Sequence, residues 1–178
     1  IMLPAMFPFA YLLWVQHKVA TVFWKQVAEI NGWKYRDSAN PNDESGIMFR
    51  QGHSRSISRH IDGVIEDRQF RIFNYVFSIG SGKHQRLYPY VVFAFKFNGS
   101  FPHIYLNNKH NSYTIKTGEK IPLPLEFEKQ FSLSAPRKYE LAALQIFTPD
   151  VLAKILDNGF TYDIEFVEQE GLMFVDWG

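Results

Sequence analysis

The feature that most constrains the fold is a stretch between Ile47 and Leu106 in which apolar and polar residues alternate with a period of two. This alternation is typical of β-strands, because successive side chains point to opposite faces of a sheet. Short turn-like segments separate the strands, which favours an antiparallel meander. The predicted strands are Ile47–Arg50, Ile57–Glu66, Gln69–Ser78, Leu87–Phe97 and His103–Leu106.

Two of these strands are apolar on both faces. In Gln69–Ser78, for example, Phe70 lies on one face and Phe73 on the other, and Leu87–Phe97 has the same property. Strands of this kind are central strands that are buried on both sides. We therefore expect other elements to cover both faces of the predicted sheet.

Helical patterns flank the strands. Gln16–Asn31 carries apolar residues at helical spacing and is predicted as an amphipathic helix that ends at the following glycine, Gly32. Nearer the C-terminus, Ser134 and Thr148 are each followed within two residues by a proline, a signal for the start of a helix. Asn158-Gly159 is expected to end the second of these two short helices.

The remaining segments complete the predicted architecture. Arg36–Gly46 is rich in turn residues and predicts a polar loop, whereas the type of Leu125–Leu133 stays open. Tyr162–Val167 and Leu172–Trp177 alternate as strands and predict a closing hairpin that turns near Glu170-Gly171. The fold class is α+β: a mostly antiparallel sheet of about six to eight strands, an N-terminal amphipathic helix and two short C-terminal helices.

Size and composition favour a single soluble domain over residues 16–178. The chain has 178 residues, of which 46% are hydrophobic, enough for one substantial core. A net charge of +1 provides no general field for nucleic acid, so no nucleic-acid partner is expected. The chain has no cysteine, which excludes disulfides, thiolate nucleophiles and cysteine-ligated zinc.

The N-terminal segment Ile1–Val15 contains no charged residue. A membrane-spanning helix needs about 20 apolar residues, so this run is long enough to be the end of one. The alternative is an apolar arm buried in the domain. If the run spans a membrane, the nearby Lys18 and Lys25 place the domain on the cytoplasmic face.

A glycine-rich stretch, Ser78–His84, includes the letters GSGK and resembles part of a phosphate-binding loop. Phe77 stands where that motif needs its first glycine, and His84 stands where it needs a Ser or Thr. A strand follows, whereas the motif requires a helix. The stretch therefore predicts a hairpin connection in which Gly80 and Gly82 adopt positive φ.

The densest basic segment runs from Arg50 to His60 and contains several hydroxyl side chains. Guanidinium groups beside hydroxyl donors suit a phosphate or carboxylate ligand. The alternative is a solvated strand edge whose positive charge prevents unwanted strand pairing. The residues proposed for an anionic ligand are Arg50, His53, Arg55 and Arg59, with Lys83 contributed by the hairpin.

No other constellation predicts catalysis, a metal or a cofactor. Asp163 and Glu165 share one face of a strand, but we interpret that strand as half-buried with exposed carboxylates. His53 and His60 are separated by an odd number of residues and are expected on opposite faces. The exposed Glu126 is a hypothetical ion-pair partner for an arginine of the sheet.

The segment from Leu125 to Leu156 resembles an uncharacterised bacterial family of membrane-associated proteins that carries a domain of unknown function. The resemblance depends on Leu125-Glu126, on Phe127 and Phe131, on Glu140 and on Thr148-Pro149. It implies a soluble α+β domain behind one or two N-terminal transmembrane helices, and it implies no catalytic residue.

Together, these observations predict a membrane-anchored, non-enzymatic domain that binds a protein partner or associates with itself. The alternative is a domain that binds an anion or phosphate ligand through the Arg50–His60 segment.

Overall fold

The computed structural model describes the backbone of residues 6–115 and 117–177, and in the first helix it describes the side chains of Val15, Gln16 and residues 18–30. Four helices and seven strands are present in this part of the chain. In chain order they are α1 (Met6–Ile30), β1 (Lys34–Ala39), β2 (His53–Ile65), β3 (Arg68–Ile79), β4 (Arg86–Asn108), β5 (Glu119–Ile121), α2 (Leu125–Glu128), β6 (Phe131–Ala135), α3 (Glu140–Ile146), α4 (Pro149–Asp157) and β7 (Tyr162–Asp176).

All seven strands belong to one antiparallel sheet in the order β1-β2-β3-β4-β6-β5, and β7 pairs with β4. Strand β4 is long enough to connect two parts of this sheet. Its first half lies between β3 and the second half of β7, and its second half lies between β6 and the first half of β7. The α+β fold class and the antiparallel meander are confirmed.

Helix α1 includes most of the charge-free run and continues into the predicted amphipathic segment. It ends as predicted, because Gly32 adopts φ +68° and the Trp33 amide donates to the Ala28 carbonyl at 2.8 Å. Its C-terminal half packs on β1 and β2, where Ala28 forms a small core with Ile61 and Phe70. No helix in the described residues combines the length and apolarity needed to cross a membrane.

One face of the sheet, here called the closed face, is covered by the segment between β1 and β2. Its consecutive residues Met48 and Phe49 are both fully buried. They pack on Phe73 and Tyr75 of β3 and on Phe174 of β7. This segment therefore takes the place of a second layer on the closed face.

A second core lies at the other end of the sheet and on the opposite face. Ile104 and Leu106 of β4 pack there against Phe127 and Phe131, whose rings stack at 4.6 Å. Helices α3 and α4 add Ala143, Phe147, Leu152 and Ile155 to the same core. Helix α4 begins and ends as predicted: the Val151 amide donates to the Thr148 hydroxyl, and the helix ends just before Gly159, whose φ is positive.

Several predicted strands are wrong in type or extent. Ile47–Arg50 is a 3₁₀ turn, since a strand would not bury two consecutive side chains in one core. The predicted strands Leu87–Phe97 and His103–Leu106 belong to the single strand β4, which shifts register between Lys96 and Ile104. Strand β1 occupies part of the predicted polar loop, and β6 contains Ser134, which therefore does not cap a helix.

The predicted C-terminal hairpin is one continuous strand. Gly171 does not form a turn; it pairs with Phe95, and a Cβ at this position would lie 2.8 Å from the ring of Phe97. The glycine is there for close packing rather than for chain reversal. A bulge near Glu168, where φ is +54°, bends the strand instead.

Candidate functional site

The structure separates the five residues of the predicted anion site. Arg50 belongs to the segment that covers the closed face and Arg55 follows it on β2, and both guanidinium groups bind the backbone of that segment. Arg50 donates to the carbonyls of Asn42 and Glu44 at 3.2 and 2.9 Å. Arg55 donates to the Phe49 carbonyl at 2.6 Å and to Asn42 Oδ1 at 3.1 Å. In this arrangement the two arginines hold the covering segment in place.

The other three residues point elsewhere. His53 Nε2 lies 2.7 Å from the Gly80 carbonyl, and Arg59 approaches Thr21 of helix α1. Lys83 is exposed in the hairpin between β3 and β4, where Gly80 and Gly82 adopt positive φ as predicted. A cleft of about 340 Å³ beside Gly52, His53, Ser54 and Arg55 is the remaining space for a ligand. Anion binding in this region stays a prediction.

A different surface has the apolar character of a binding site. On strands β3, β4 and β7, most side chains of the closed face are fully buried, whereas a group of apolar side chains on the opposite face is only half-buried or exposed. Phe70 also lies on that opposite face, but it is buried under α1. Phe93 lies between Ile72 and Met173 in the sheet, and Val91 pairs with Val175. We call this surface the open face; its residues are Val76, Val91, Phe93, Phe95, Met173 and Val175.

The open face is a trough with an apolar wall. Lys25 of α1 lies over the edge strand β1. Its Nζ atom is 3.1 Å from Asp37 Oδ1 and lies above the Tyr35 ring. Since helical residues advance by about 100° each, Ala20, Phe23 and Val27 lie on the opposite flank, toward β3. At the end of the trough Leu87 and Trp177 are exposed, and Phe95 exposes 38% of its surface. The sequence led us to expect elements on both faces of the sheet, and on this face the covering is partial: α1 packs over Phe70 and Ile72, and α3 and α4 pack over Ile104 and Leu106. The other described elements leave the trough itself open.

Two carboxylates that we expected to be exposed are fully buried on the closed face. Asp163 accepts a hydrogen bond from the Asn108 amide at 2.6 Å and one from the Tyr105 hydroxyl at 3.2 Å. Burial disfavours its ionised form and raises its pKa to about 7, although these hydrogen bonds act in the opposite direction. The interpretation of this strand as half-buried is therefore wrong, because both of its faces pack against other elements.

Glu165 links the sheet to the covering segment. Its Oε1 atom accepts from the Ile47 amide at 2.7 Å and lies 2.6 Å from His103 Nε2. The hydrogen bond that His103 donates to Glu165 raises the pKa of His103, while burial opposes that effect. The chemistry available here is an imidazolium–carboxylate pair, but the pair fixes a backbone amide and opens into none of the clefts described here.

A second ionic group fixes the same segment. Arg71 donates to Glu170 at 2.6 Å and to Glu44 at 2.8 Å, and Ser45 also donates to Glu170. Burial raises the pKa of Glu44 despite the nearby Arg71 guanidinium, whereas the contacts with Arg71 lower the pKa of Glu170. Arg71 does not contact Glu126, which instead pairs with Lys129, so the predicted Glu126 anchor is wrong.

His60 is also buried, and its ring stacks on Phe73 with centroids 5.1 Å apart. Desolvation lowers its pKa to about 4. Asp62 lies 3.3 Å from Nδ1, but the Arg36 guanidinium donates to the same nitrogen at 3.1 Å, which agrees with a neutral ring. His60 is thus a structural residue of the core.

Other sites give little support for chemistry. A cleft of about 610 Å³ near Trp33 is lined by Lys34, Lys96, Asp62 and Glu170, so its charges are mixed. In the parts of the chain that the structure describes, no group of three or more His, Asp or Glu side chains is arranged to hold a metal ion. The open face remains the surface with the clearest capacity for binding.

Comparison with known proteins identifies the fold but no family. No protein-family model and no curated protein matches the sequence. A similar solved structure is that of the mycobacterial trehalose monomycolate transport factor A, TtfA, with a TM-score of 0.63 and 11% sequence identity. The match covers 88% of this chain and 81% of that chain. The two proteins share the fold, and at this identity the likeness extends no further.

Sequence reasoning identified the apolar residues of the open face but not their exposure. The alternation in Gln69–Ser78 and Leu87–Phe97 gave the two faces correctly. It could not show that the described residues cover the second face only in part, with α1 over Phe70 and with α3 and α4 over Ile104 and Leu106. The useful signal was present, because an apolar sheet face needs a covering element and the chain has few elements left to supply one.

Proposed function

We propose that this protein is a membrane-anchored, non-enzymatic domain that binds a protein partner through the open face. The observation that carries the proposal is the contrast between the two faces of the sheet. Phe73, Tyr75 and Phe77 on one face are completely buried, whereas Val76 and Phe93 on the other are only partly covered. Contiguous exposed apolar surface is a mark of interaction sites.

The shape of the trough favours a partner that contributes an amphipathic helix or another segment with one apolar side. The floor is a pleated sheet, and α1 forms one raised wall. A helix laid in such a groove buries its apolar residues against the floor and leaves its polar side in water. TtfA, which has the same fold, is described as a transport factor, and a non-enzymatic binding role for our protein is compatible with that description.

The membrane anchor is supported by sequence features. The run Ile1–Val15 carries no charge, and its described part is helical and continuous with the rest of α1. The resemblance to a membrane-associated bacterial family agrees with an anchor. Lys18 and Lys25 after the run favour a cytoplasmic position for the domain.

Photo-crosslinking tests the partner-binding surface. A photoreactive residue is placed at Phe95 or Met173 on the open face of the full chain in cells, with Leu141 on α3 as an exposed control. We expect the open-face positions to yield one discrete crosslinked protein that Leu141 does not yield. The partner is then purified, and Phe95→Glu should weaken its binding at least about tenfold, because a charge replaces an apolar contact. Equal crosslinking at all positions, or unchanged affinity in Phe95→Glu, would contradict the proposal.

Thiol labelling tests the anchor and its orientation. The chain has no cysteine, so Glu126→Cys introduces a single thiol at a position whose side chain is exposed. We expect the protein to remain in the membrane fraction after a high-salt wash and to react with an impermeant maleimide only after the cells are permeabilised. Labelling of intact cells would refute the cytoplasmic position, and release by salt would refute the anchor.

A further inference from the structure

Helix α1 carries a second apolar surface, on the side that faces away from its own sheet. Ala28 is buried against the sheet, and the residues on the far side of the helix are exposed. Val19 exposes 63% of its surface, Val22 52% and Ile30 83%. A helix with apolar residues on both its inner and outer sides is typical of one that packs on both sides.

The spacing of this outer side matches a helix–helix seam. Val15, Val19, Val22 and Gln26 follow one another at intervals of four, three and four residues. These are the a and d positions of a heptad repeat, which bring two helices together in a coiled coil. Residues between them, such as Trp24 and Ala28, point to the sheet of their own domain.

We propose that two copies of this chain form a parallel dimer in which the outer sides of their α1 helices pack together. The interface is separate from the open face and does not depend on partner binding there. Valine at an a position favours two-stranded coiled coils. Gln26 is the polar member of the seam, and in an in-register pair it can hydrogen-bond with its own copy, which fixes the alignment.

The membrane anchor proposed above selects the parallel orientation, and the charges are compatible with it. In a parallel pair, Lys18 lies beside Phe23 of the second copy, and Lys25 lies beside Ile30 of the second copy. Neither lysine then faces a like charge of the second copy, and Lys25 keeps its ion pair with Asp37 of its own domain. A parallel pair also directs both N-termini to the same side, as the proposed membrane anchor requires.

A second copy is a better occupant than a lipid surface. If the N-terminal run enters a membrane, the exposed residues on the outer side of α1 extend away from the lipid along the helix axis. Ile30, for example, lies about 22 Å along that axis from Val15. A helix that lies flat on a membrane would instead bury Gln26 among the acyl chains, at the centre of its apolar side.

Disulfide crosslinking tests the dimer and its orientation. The absence of native cysteine allows single substitutions Val19→Cys and Gln26→Cys in the purified full chain in mild detergent, with the exposed Lys129→Cys as a collision control. A parallel pair predicts disulfide-linked dimers at both seam positions and few at the control. The two positions are about 10 Å apart along the helix, so an antiparallel pair cannot bring both next to their own copies.

Light scattering provides an independent measurement. The wild-type chain should have twice the single-chain mass of 20.8 kDa, and the double variant Val19→Glu, Val22→Glu should have the single-chain mass. Leu141→Glu and Phe95→Glu should remain dimeric, and circular dichroism should show that all variants are folded. A monomeric wild type with no crosslink at Val19→Cys or Gln26→Cys overturns the proposal. A different result would assign the outer side of α1 to a membrane surface. In that case the wild-type chain binds phosphatidylcholine–phosphatidylglycerol vesicles, the double variant does not, and neither Val19→Cys nor Gln26→Cys forms a crosslink.

Discussion

The buried carboxylate of Asp163 makes a specific prediction about how stability depends on pH. In the folded protein its pKa is raised to about 7, mainly because burial disfavours the charged form. In the unfolded chain the pKa returns to about 3.9. Between these two values the folded state holds a proton that the unfolded state releases, so this residue makes the protein less stable as the pH rises.

The substitution Asp163→Asn removes this proton and keeps the shape of the side chain. The new amide oxygen can accept from the Asn108 amide, and its nitrogen can donate to the Tyr105 hydroxyl oxygen, so both contacts are preserved. Over the whole titration the raised pKa is equivalent to about 4 kcal/mol of folding free energy. Between pH 5 and pH 8 the stability of the variant relative to wild type should increase by about 2.5 kcal/mol.

Urea unfolding followed by tryptophan fluorescence measures this difference, since Trp33 packs against the buried Phe70. The difference between variant and wild type is more informative than either curve alone. The lowered pKa of His60 makes the folded protein less stable as the pH falls from about 6.5 to about 4, which is the opposite direction to the effect of Asp163. The raised pKa of His103 gives stability that is present below about pH 6.5 and is lost as the pH rises through its folded value. Both effects are common to the two proteins and cancel in the difference.

The exposed Asp157 provides a matched control, because Asp157→Asn removes a carboxylate that is already in water. Its stability difference from wild type should stay nearly constant with pH. If the difference for Asp163→Asn is equally flat, Asp163 is solvated in the folded protein and the packing described for β7 is incorrect.

Three further substitutions test the contacts that hold the covering segment on the closed face. Gly46→Ala would place a Cβ 2.6 Å from Leu172 Cδ1 and 2.8 Å from Glu165 Oε2, so we expect the free energy of unfolding to fall by about 1–3 kcal/mol. Gly99→Ala is the control, because its Cβ meets open space. Equal melting temperatures for the two variants would contradict this packing. Arg71→Met leaves Glu44 and Glu170 without their cation, and we expect chemical denaturation to show a loss of about 3–5 kcal/mol in the free energy of unfolding. Replacing both glutamates with glutamine in the same variant should recover part of this loss. If Arg71→Met alone leaves the free energy of unfolding unchanged, the role of Arg71 is refuted. Arg55→Ala leaves the Phe49 carbonyl without its donor and should lower the free energy of unfolding by about 1–3 kcal/mol. Replacing the exposed Lys83 with alanine should leave stability unchanged. The anion-site hypothesis instead predicts that both variants lose phosphate binding with little change in stability.

Local signals in the sequence predicted local structure well. The Gly80–Gly82 hairpin, the end of α1 at Gly32 and the start of α4 at Thr148 depend on residues within one or two turns of each other. These features agree with the structure because the relevant hydrogen bonds are short-range. The period-two alternation also identified β2, β3 and most of β4, because the alternation of side chains between two faces is a local property of an extended chain.

Burial of charged residues could not be predicted in this way, because it depends on contacts between distant parts of the chain. Glu165 is fixed by the amide of Ile47, which is 118 residues away, and Arg71 is paired with Glu170, 99 residues away. An alternating strand with two carboxylates is usually half-exposed, and the sequence of β7 contains no sign of the segment that covers it. Likewise, Gly171 next to Glu170 has the appearance of a turn, and only the neighbouring Phe97 ring explains it.

The continuous strand β7 has a consequence for the order in which the protein can fold. It follows the other six described strands in the chain, and it pairs with β4 from Leu106 back to Tyr90. It contributes Leu172 and Phe174 to one core and Ile164 and Phe166 to the other. Until β7 has left the ribosome, one edge of β4 is unpaired and both cores lack a wall. Contacts between such distant segments form slowly, so we expect the domain to reach its native state only after β7 has been synthesised, and we expect the emerging chain to depend on protection from aggregation until then.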